Sequence, residues 1–294
     1  MTEKTVFNQR PADTLNYAFL TMLLLISVLF YREINSVLSL IILYSTLILI
    51  QAVLLVVKDR NRFFRATYDL VFPTVCILVV FDSLEKIVHY INPHDIDPLL
   101  IRADYILFKG YPTVMMEKIT VPFLTDILQV AYSSYYFLPI TLGIVLLIKK
   151  NASSFDRSLF LIMFCFYLSY IGYILMPAIG PRYTLAHLQH TELKGLFIAQ
   201  PIQELLNRLE GVKRDAFPSG HTGIALTVLY LSFRFEKKLF LIFLPFVLAL
   251  IFSTVYCRYH YVVDVLAGVV LTIITVLIGE RLYEYRTKKL NTDR

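Results

Sequence analysis

The sequence predicts an all-α integral membrane protein with about eight transmembrane helices. The first observation is composition: the 294 residues are 57% hydrophobic, 17% are charged, and the mean hydropathy is +0.64. Soluble globular domains carry about 25% charged residues. The second is a series of apolar runs that approach the roughly 20 residues needed to cross a bilayer. Nucleic-acid binding has no support, because no basic stripe lies on a soluble domain.

The apolar runs define the predicted spans and the domain division. The spans are expected at about 15–31, 37–57, 68–91, 123–148, 158–176, 221–233, 239–255 and 261–278. Pro139 predicts a kink in the fourth. The mixed segment from Leu99 to Phe108 predicts a short amphipathic helix at the membrane interface. The domain division is two N-terminal transmembrane helices at 1–67, a transmembrane core at 68–282 and a basic cytoplasmic tail at 283–294.

The distribution of Lys and Arg predicts the orientation. With the N-terminus inside, the inner segments hold 17 of these residues and the outer segments 10. Cytoplasmic loops carry the excess of positive charge, so both termini are predicted to be cytoplasmic. Six polar residues then share the outer side, namely Arg182, Lys213, Arg214, His221, Arg258 and His260. This side is periplasmic, extracellular or lumenal according to the membrane. In a bacterium that membrane is the inner cell membrane.

The segment Phe217–Thr222 has the form of a helix start at a membrane surface. Pro218 ends the preceding structure, and Ser219 is a typical N-cap before an apolar run. A helix N-terminus attracts phosphate, and Gly220 has no Cβ to keep a ligand oxygen from the backbone. Ser219 and Gly220 are therefore candidate phosphate-binding residues. His221 would lie beside the bound anion.

A second segment supplies a histidine and a carboxylate. His260 and Asp264 are four residues apart, which on a helix places both on one face. A carboxylate bonded to one ring nitrogen leaves the lone pair of the other free to attack. Arg258 could hold phosphate oxygens. The parts suit phosphoryl transfer, with His260 as nucleophile, Asp264 orienting it and His221 protonating the leaving group.

Further cations on the predicted outer side are candidate phosphate ligands. They are Arg182, Lys213 and Arg214. A metal site built from the two histidines and Asp264 is not expected, because Arg182 and Arg258 would repel a cation. The three cysteines have no paired spacing, which argues against a zinc site. No cofactor is predicted.

The third predicted span carries a polar stripe made of Asp82, Glu85, Lys86 and His89. Ionisable groups inside a membrane are costly and usually face a cavity or one another. One interpretation is an internal ion pair that ties helices together. Another is a wall that recognises a lipid headgroup or acceptor. A third, a relay in a transporter, leaves both histidine segments unexplained.

Pro218-Ser219-Gly220-His221 and His260-x-x-x-Asp264 resemble the second and third motifs of the type 2 phosphatidic acid phosphatase superfamily. The resemblance implies a metal-independent site at the outer end of a six-helix lipid phosphatase-like core. It also implies that His260 is the nucleophile and His221 the acid. The first-motif Lys and the third-motif Arg of that superfamily have no direct match here.

The altered pattern is similar to the inositol phosphorylceramide synthase branch. It consists of Gly-Pro-Arg-Tyr around Arg182 and Tyr-x-Arg-x-His-Tyr-x-x-Asp around His260. This similarity implies a lipid phosphotransferase with a phospholipid donor and a lipid alcohol acceptor. The alternative is a lipid phosphate or polyprenyl pyrophosphate phosphatase that uses the same His/His/Asp site with water as acceptor. No protein partner is evident from the sequence.

Overall fold

The chain is all-helical in the residues described by the computed structural model, 9–209 and 214–292. Fourteen α-helices follow one another in those ranges, with short 3₁₀ and π turns between some of them. They are α1 Pro11–Leu29, α2 Val37–Val57, α3 Arg62–Ala66, α4 Phe72–Ile91, α5 Asp97–Phe108, α6 Pro112–Met115, α7 Pro122–Ser133, α8 Phe137–Ile148, α9 Ala152–Leu175, α10 Pro181–Thr184, α11 Ala199–Leu209, α12 Gly220–Phe235, α13 Lys237–Tyr256 and α14 Val262–Thr292. The predicted all-α membrane fold is confirmed.

Six segments within the described ranges are long and apolar enough to cross a bilayer. They are α1, α2, α7 with α8 (Pro122–Ile148), α9, α13 and Val262–Leu290 of α14. The other two predicted spans also form helices, but α4 carries the charged stripe and α12 has only 16 residues. The predicted count of eight spans therefore stays a prediction.

Helix α9 is the centre of the bundle. It packs against α1, α4, α8, α12 and α14, and most of its residues are buried. Gly172 allows a close contact with the turn before α12, because a Cβ there would lie 2.3 Å from Cδ of Pro218. The turn that precedes α12 is thereby packed directly on α9.

The fourth predicted span is broken rather than continuous. A 3₁₀ turn at Ser134–Tyr136 separates α7 from α8. Pro139 has no N–H to donate to the carbonyl of Tyr135, so the α-helical hydrogen-bond pattern is interrupted at this point. The break places Tyr132 and Tyr135 beside the ring of His221.

The two ends of the bundle carry different polar structures. At one end of the bundle the C-terminal ends of α4, α9 and α13 lie close to the N-terminal ends of α12 and α14. The connecting helices α5, α10 and α11 lie at the same end. We call this the site end. At the other end, which we call the opposite end, Arg10 lies just before α1 and donates from Nη1 to Asp69 Oδ1 at 2.9 Å. The membrane side of each end stays a prediction, as does the domain division.

Candidate active site

Two buried histidines face each other at the site end. His221 lies in the first turn of α12 and His260 in the turn between α13 and α14, and their side chains are almost fully covered. Nε2 of His260 is 3.5 Å from Nδ1 of His221. Their chain positions are 39 residues apart, so the packing of α12 against α13 and α14 creates the pair.

A backbone carbonyl determines which nitrogen of His260 is free. Nδ1 of His260 is 2.8 Å from the carbonyl oxygen of Ala216, which can only accept a hydrogen bond. Nδ1 therefore carries the proton in the neutral ring, and Nε2 holds the lone pair. The nitrogen that faces His221 is thus the nucleophilic one.

Asp264 is close to His260 but not by the predicted helical geometry. His260 precedes α14, so the two residues do not share a helix face. Oδ2 of Asp264 is 3.6 Å from Nδ1 of His260, beyond hydrogen-bond range, and accepts the N–H of Tyr261 at 2.9 Å. The prediction that a direct hydrogen bond from Asp264 orients the His260 ring is therefore wrong, because the two atoms are too far apart. Asp264 lies within range of an electrostatic interaction with His260 and holds the turn through the N–H of Tyr261.

The predicted N-cap of α12 is confirmed. The side chain of Ser219 accepts the N–H of Thr222 at 3.3 Å, and the residue is fully buried. The lack of a Cβ at Gly220 was predicted to admit a ligand oxygen, but in the structure a Cβ there would lie 2.3 Å from the hydroxyl of Tyr173. Gly220 makes room for this tyrosine. Phosphate binding by Ser219 and Gly220 stays a prediction.

Aromatic rings enclose His221 and connect it with Arg182. Tyr132 stacks on His221 with ring centroids 4.4 Å apart, and Tyr135 covers it at 4.2 Å. Tyr132 also stacks on Tyr259 at 4.2 Å, and the guanidinium of Arg182 lies 5.8 Å from the Tyr259 ring. Successive contacts through Tyr132 and Tyr259 therefore connect Arg182 with His221.

Arg258 is engaged with the connection that follows α10. Its guanidinium donates to Oε1 of Glu117 at 2.9 Å, to Oε1 of Gln189 at 3.2 Å and to the carbonyl of Thr191 at 2.6 Å. Burial lowers the pKa of Arg258, against the opposing effect of Glu117. These contacts give it a role in holding the loop, and its predicted contact with phosphate stays a prediction.

The remaining predicted cations are less central. Arg214 forms an ion pair with Asp95, with Nε 2.6 Å from Oδ1. Lys213 lies outside the described residues.

The polar stripe of α4 faces outward. Asp82, Glu85, Lys86 and His89 share one side of α4, as their spacing predicted, and all four are exposed. The last three, together with Arg214 and the connection between α1 and α2, line a groove of about 350 Å³. A headgroup or acceptor role for this stripe remains a prediction.

Sequence reasoning missed five acidic residues that organise the site end. Asp97 accepts the N–H groups of Ile179 and Gly180, both at 2.9 Å, and Asp104 accepts those of Val262 and Val263. In the same way Glu117 and Asp126 accept backbone N–H groups of the connection between α10 and α12. The proline that follows Asp97 at a helix start was the one signal for these contacts in the sequence. The loops whose N–H groups donate to the carboxylates are distant in the chain, so no local pattern marks them.

Asp215 is the fifth. It lines the same cavity as His221 and directly precedes Ala216, the hydrogen-bond partner of His260. Burial raises the pKa of Asp215 to about 6, and the neighbouring His260 opposes the rise. A carboxyl with this pKa exchanges its proton close to neutral pH.

The arrangement can carry out nucleophilic substitution with proton transfer. One imidazole has a free lone pair, the second lies within 3.5 Å of it, and a cavity reaches the second. A nucleophile and a second proton-transferring group at such a distance are typical of covalent catalysis.

Comparisons with known proteins agree with this geometry. A sequence profile described as the PAP2 superfamily matches residues 112–278, which include both histidine segments. A PA-phosphatase related-family protein of Dictyostelium discoideum is 24% identical over 217 residues, covering 62% of this chain. The chain spans only 39% of the length of that relative. No solved structure matches. Since the profile covers more than half of the sequence, the chain belongs to the PAP2 superfamily.

Proposed function

We propose that the protein is a lipid phosphotransferase of the inositol phosphorylceramide synthase type that works through a phosphohistidine on His260. The observation that carries the proposal is the nitrogen pair, with Nε2 of His260 3.5 Å from Nδ1 of His221 at the head of an apolar cavity. PAP2 membership supports phosphatase or phosphotransferase chemistry on a lipid.

The reaction has two balanced steps. Nε2 of His260 attacks phosphorus, the bond from phosphorus to the leaving lipid oxygen breaks, and His221 gives that oxygen its proton. An acceptor hydroxyl then loses its proton to His221 and attacks phosphorus, which breaks the P–N bond. Arg182 and the N–H groups at the start of α12 would stabilise the negative charge on the phosphoryl oxygens. No metal is needed in this scheme, so EDTA should leave the rate unchanged.

The alternative function differs only in the acceptor. If water resolves the phosphohistidine, the protein is a lipid phosphate or polyprenyl pyrophosphate phosphatase. The name of the Dictyostelium relative favours this alternative. The groove beside the α4 stripe favours the transferase, because Glu85, Lys86 and His89 offer partners for the hydroxyl groups of a sugar-alcohol headgroup.

A product assay on detergent-purified protein tests both. The mixture holds labelled phosphatidylinositol, phosphatidate and ceramide, and the wild type is compared with His260→Ala and with His187→Ala, which removes an exposed histidine. A new phosphosphingolipid that only His260→Ala abolishes supports the transferase. Free phosphate without any new lipid supports the phosphatase. Turnover that persists in His260→Ala contradicts both, and turnover that vanadate does not inhibit argues against a phosphohistidine.

A further inference from the structure

An apolar cavity of about 300 Å³ extends from His221, one member of the histidine pair, toward the opposite end of the bundle. It lies between α4, α8 and α9. His221, Asp215 and Tyr173 line it at the site end, and Asp69 and Phe155 line it at the other. Nearly all of the side chains between these ends are aliphatic or aromatic. A cavity with this lining is suited to a hydrocarbon chain.

The cavity is longer than one leaflet of a membrane. Its lining residues on α9 run from Phe155 to Tyr173. At 1.5 Å per residue this stretch measures about 27 Å. The hydrocarbon core of a bilayer is about 30 Å thick, so one leaflet accounts for roughly half of it. A chain anchored at His221 and filling the cavity would therefore pass the bilayer midplane.

Gly143 lies in the wall of the far part of the cavity, where the packing is close. A Cβ at this position would lie 3.2 Å from Cδ2 of Leu70 and 3.5 Å from Cε2 of Phe155. Both contacts are with side chains that line the cavity. A larger side chain on Gly143 would therefore have to displace Leu70 and Phe155, which changes the shape of the far part of the cavity.

A charged pair ends the apolar path just beyond Gly143. Asp69 lines the cavity and accepts from Arg10 at 2.9 Å. Hydrocarbon cannot replace the partners of a buried ion pair, so a chain stops before it. The cavity thus has a fixed length, with a reactive head and a polar floor.

We propose that this cavity measures the hydrocarbon chain of the substrate, accepting one chain longer than a single leaflet, with Gly143 setting the length limit. The inference rests on the proposed function, since the histidine pair would hold the phosphate from which the chain extends. The chemistry fits two sources, a very long acyl chain or a polyisoprenoid. Leu78 is 46% exposed along the cavity, which gives a chain access from the surrounding lipid.

The test compares phosphate monoesters that differ only in their chains. One chain is shorter than a leaflet, one is a saturated chain longer than a leaflet, and one is a polyisoprenoid. The wild type is compared with Gly143→Leu and with Ile144→Leu, a matched change at the adjacent, partly exposed position. Leu70→Phe is a second variant, which enlarges a side chain that lines the cavity beside Gly143 and carries less risk to folding.

We expect the wild type to prefer one of the long chains, and which one identifies the source. Gly143→Leu and Leu70→Phe should lower kcat/KM for long chains by about tenfold or more, as the loss of contact with two or three methylenes implies. The short-chain rate should stay within about twofold, which also shows that the variants fold. Ile144→Leu should match the wild type. An unchanged chain preference in both narrowing variants would overturn the proposal.

A binding measurement separates this inference from the proposed function. The protein in detergent is equilibrated with the three corresponding alcohols, which lack phosphate, and bound chains are detected by native mass spectrometry. If the wild type turns over no phosphate ester and makes no new lipid from labelled phosphatidylinositol and ceramide, but retains a long-chain alcohol that Gly143→Leu loses, the cavity stands and the proposed function fails. If the wild type binds no long-chain alcohol, the cavity proposal fails.

Discussion

The two ends of the bundle each bury a polar cluster, and the clusters differ in how their atoms are satisfied. At the opposite end Arg10 pairs with Asp69 at 2.9 Å and lies 3.5 Å from Asp156, and only its Nε lacks a partner. At the site end, Nε2 of His221 and Oδ1 of Asp264 have no hydrogen-bond partner among the described residues. Both clusters keep an unpaired atom, but the cluster at the opposite end joins charges of opposite sign, whereas the unpaired atoms at the site end belong to the candidate catalytic residues.

This difference indicates which cluster serves stability and which serves chemistry. A buried polar atom left without a partner costs about 1–3 kcal/mol, so such atoms are few in folded proteins. The opposite-end cluster connects the starts of α1, α4 and α9. The histidine cluster instead leaves a ring nitrogen and a carboxylate oxygen available beside a cavity, which is where departures from full satisfaction are expected.

The largest effect should come from His221→Ala. If His221 donates the proton to the leaving oxygen, its loss should lower kcat by about 10²–10⁴-fold on alkyl phosphates. The loss should be much smaller on p-nitrophenyl phosphate, whose leaving group departs without a proton. Steady-state rates on both substrates, with His187→Ala as control, measure this. Because His221 also acts as the base in the second step, formation of the phosphohistidine is followed in a single turnover, and equal losses in that rate on the two substrates would exclude His221 as the general acid.

At the opposite end, Arg10→Ala should affect stability and not catalysis. Removing one partner of a buried charge network leaves the carboxylates unpaired, at a cost of about 3–5 kcal/mol. We expect a lower Tm in detergent and an unchanged kcat for the folded fraction below that temperature. Arg62→Ala, at an exposed position, is the control. A reduced kcat in folded Arg10→Ala would break the division between the two ends.

Asp215→Asn should change the pH dependence of stability. The folded pKa of about 6 lies above the usual value near 4, so the folded state binds the proton more tightly. Stability is therefore lost as pH rises from about 4 to about 6, and the variant should exceed the wild type above that range by no more than about 3 kcal/mol. Glu85 also raises this pKa and His260 lowers it. Tm measured from pH 4 to 8 should show the curves of the two proteins diverging, and parallel curves would refute the assignment.

The smallest effect is expected from Asp104→Ala. Its carboxylate accepts the N–H groups of Val262 and Val263 at 3.0 and 2.9 Å, which caps α14 next to His260. Loss of such a cap costs about 1–2 kcal/mol. Hydrogen exchange should speed up at these two amides, while Glu204→Ala, at an exposed position of α11, leaves them protected. Unchanged exchange in Asp104→Ala would show that the cap contributes nothing.

Much of the fold could be read from local patterns. Apolar runs identified the helices, because crossing a bilayer requires a length and polarity that are visible in any window of the sequence. The N-cap of α12 at Ser219 followed from capping preferences, and the placement of the α4 stripe on one helix face followed from helical spacing. The first span was predicted to begin at about residue 15, whereas α1 begins at Pro11. Asp13 and Asn16 are buried in the structure, and Asn16 donates to Gln51 at 2.8 Å.

The details of the site could not be read in this way. The carbonyl of Ala216 sets the tautomer of His260, yet every residue has a carbonyl and no pattern marks this one. Tyr173 occupies the space at Gly220, although it lies 47 positions earlier in the chain. Arg258 was predicted to be a phosphate ligand from its proximity to His260, and no pattern in the sequence showed that it also contacts Glu117 and the connection at 189–191.

The sequence by itself determined that the chain is a helical membrane protein with two histidines and a carboxylate in motif positions, because hydropathy, capping and motif spacing are local properties. Only the tertiary structure decided which nitrogen of His260 is free, which acidic residues hold the loops, and that the cavity ends at Asp69. These features depend on atoms brought within a few ångströms by the packing of α4, α8, α9 and α12. Such distances are set by the shapes of all the helices together and are not encoded in any single segment.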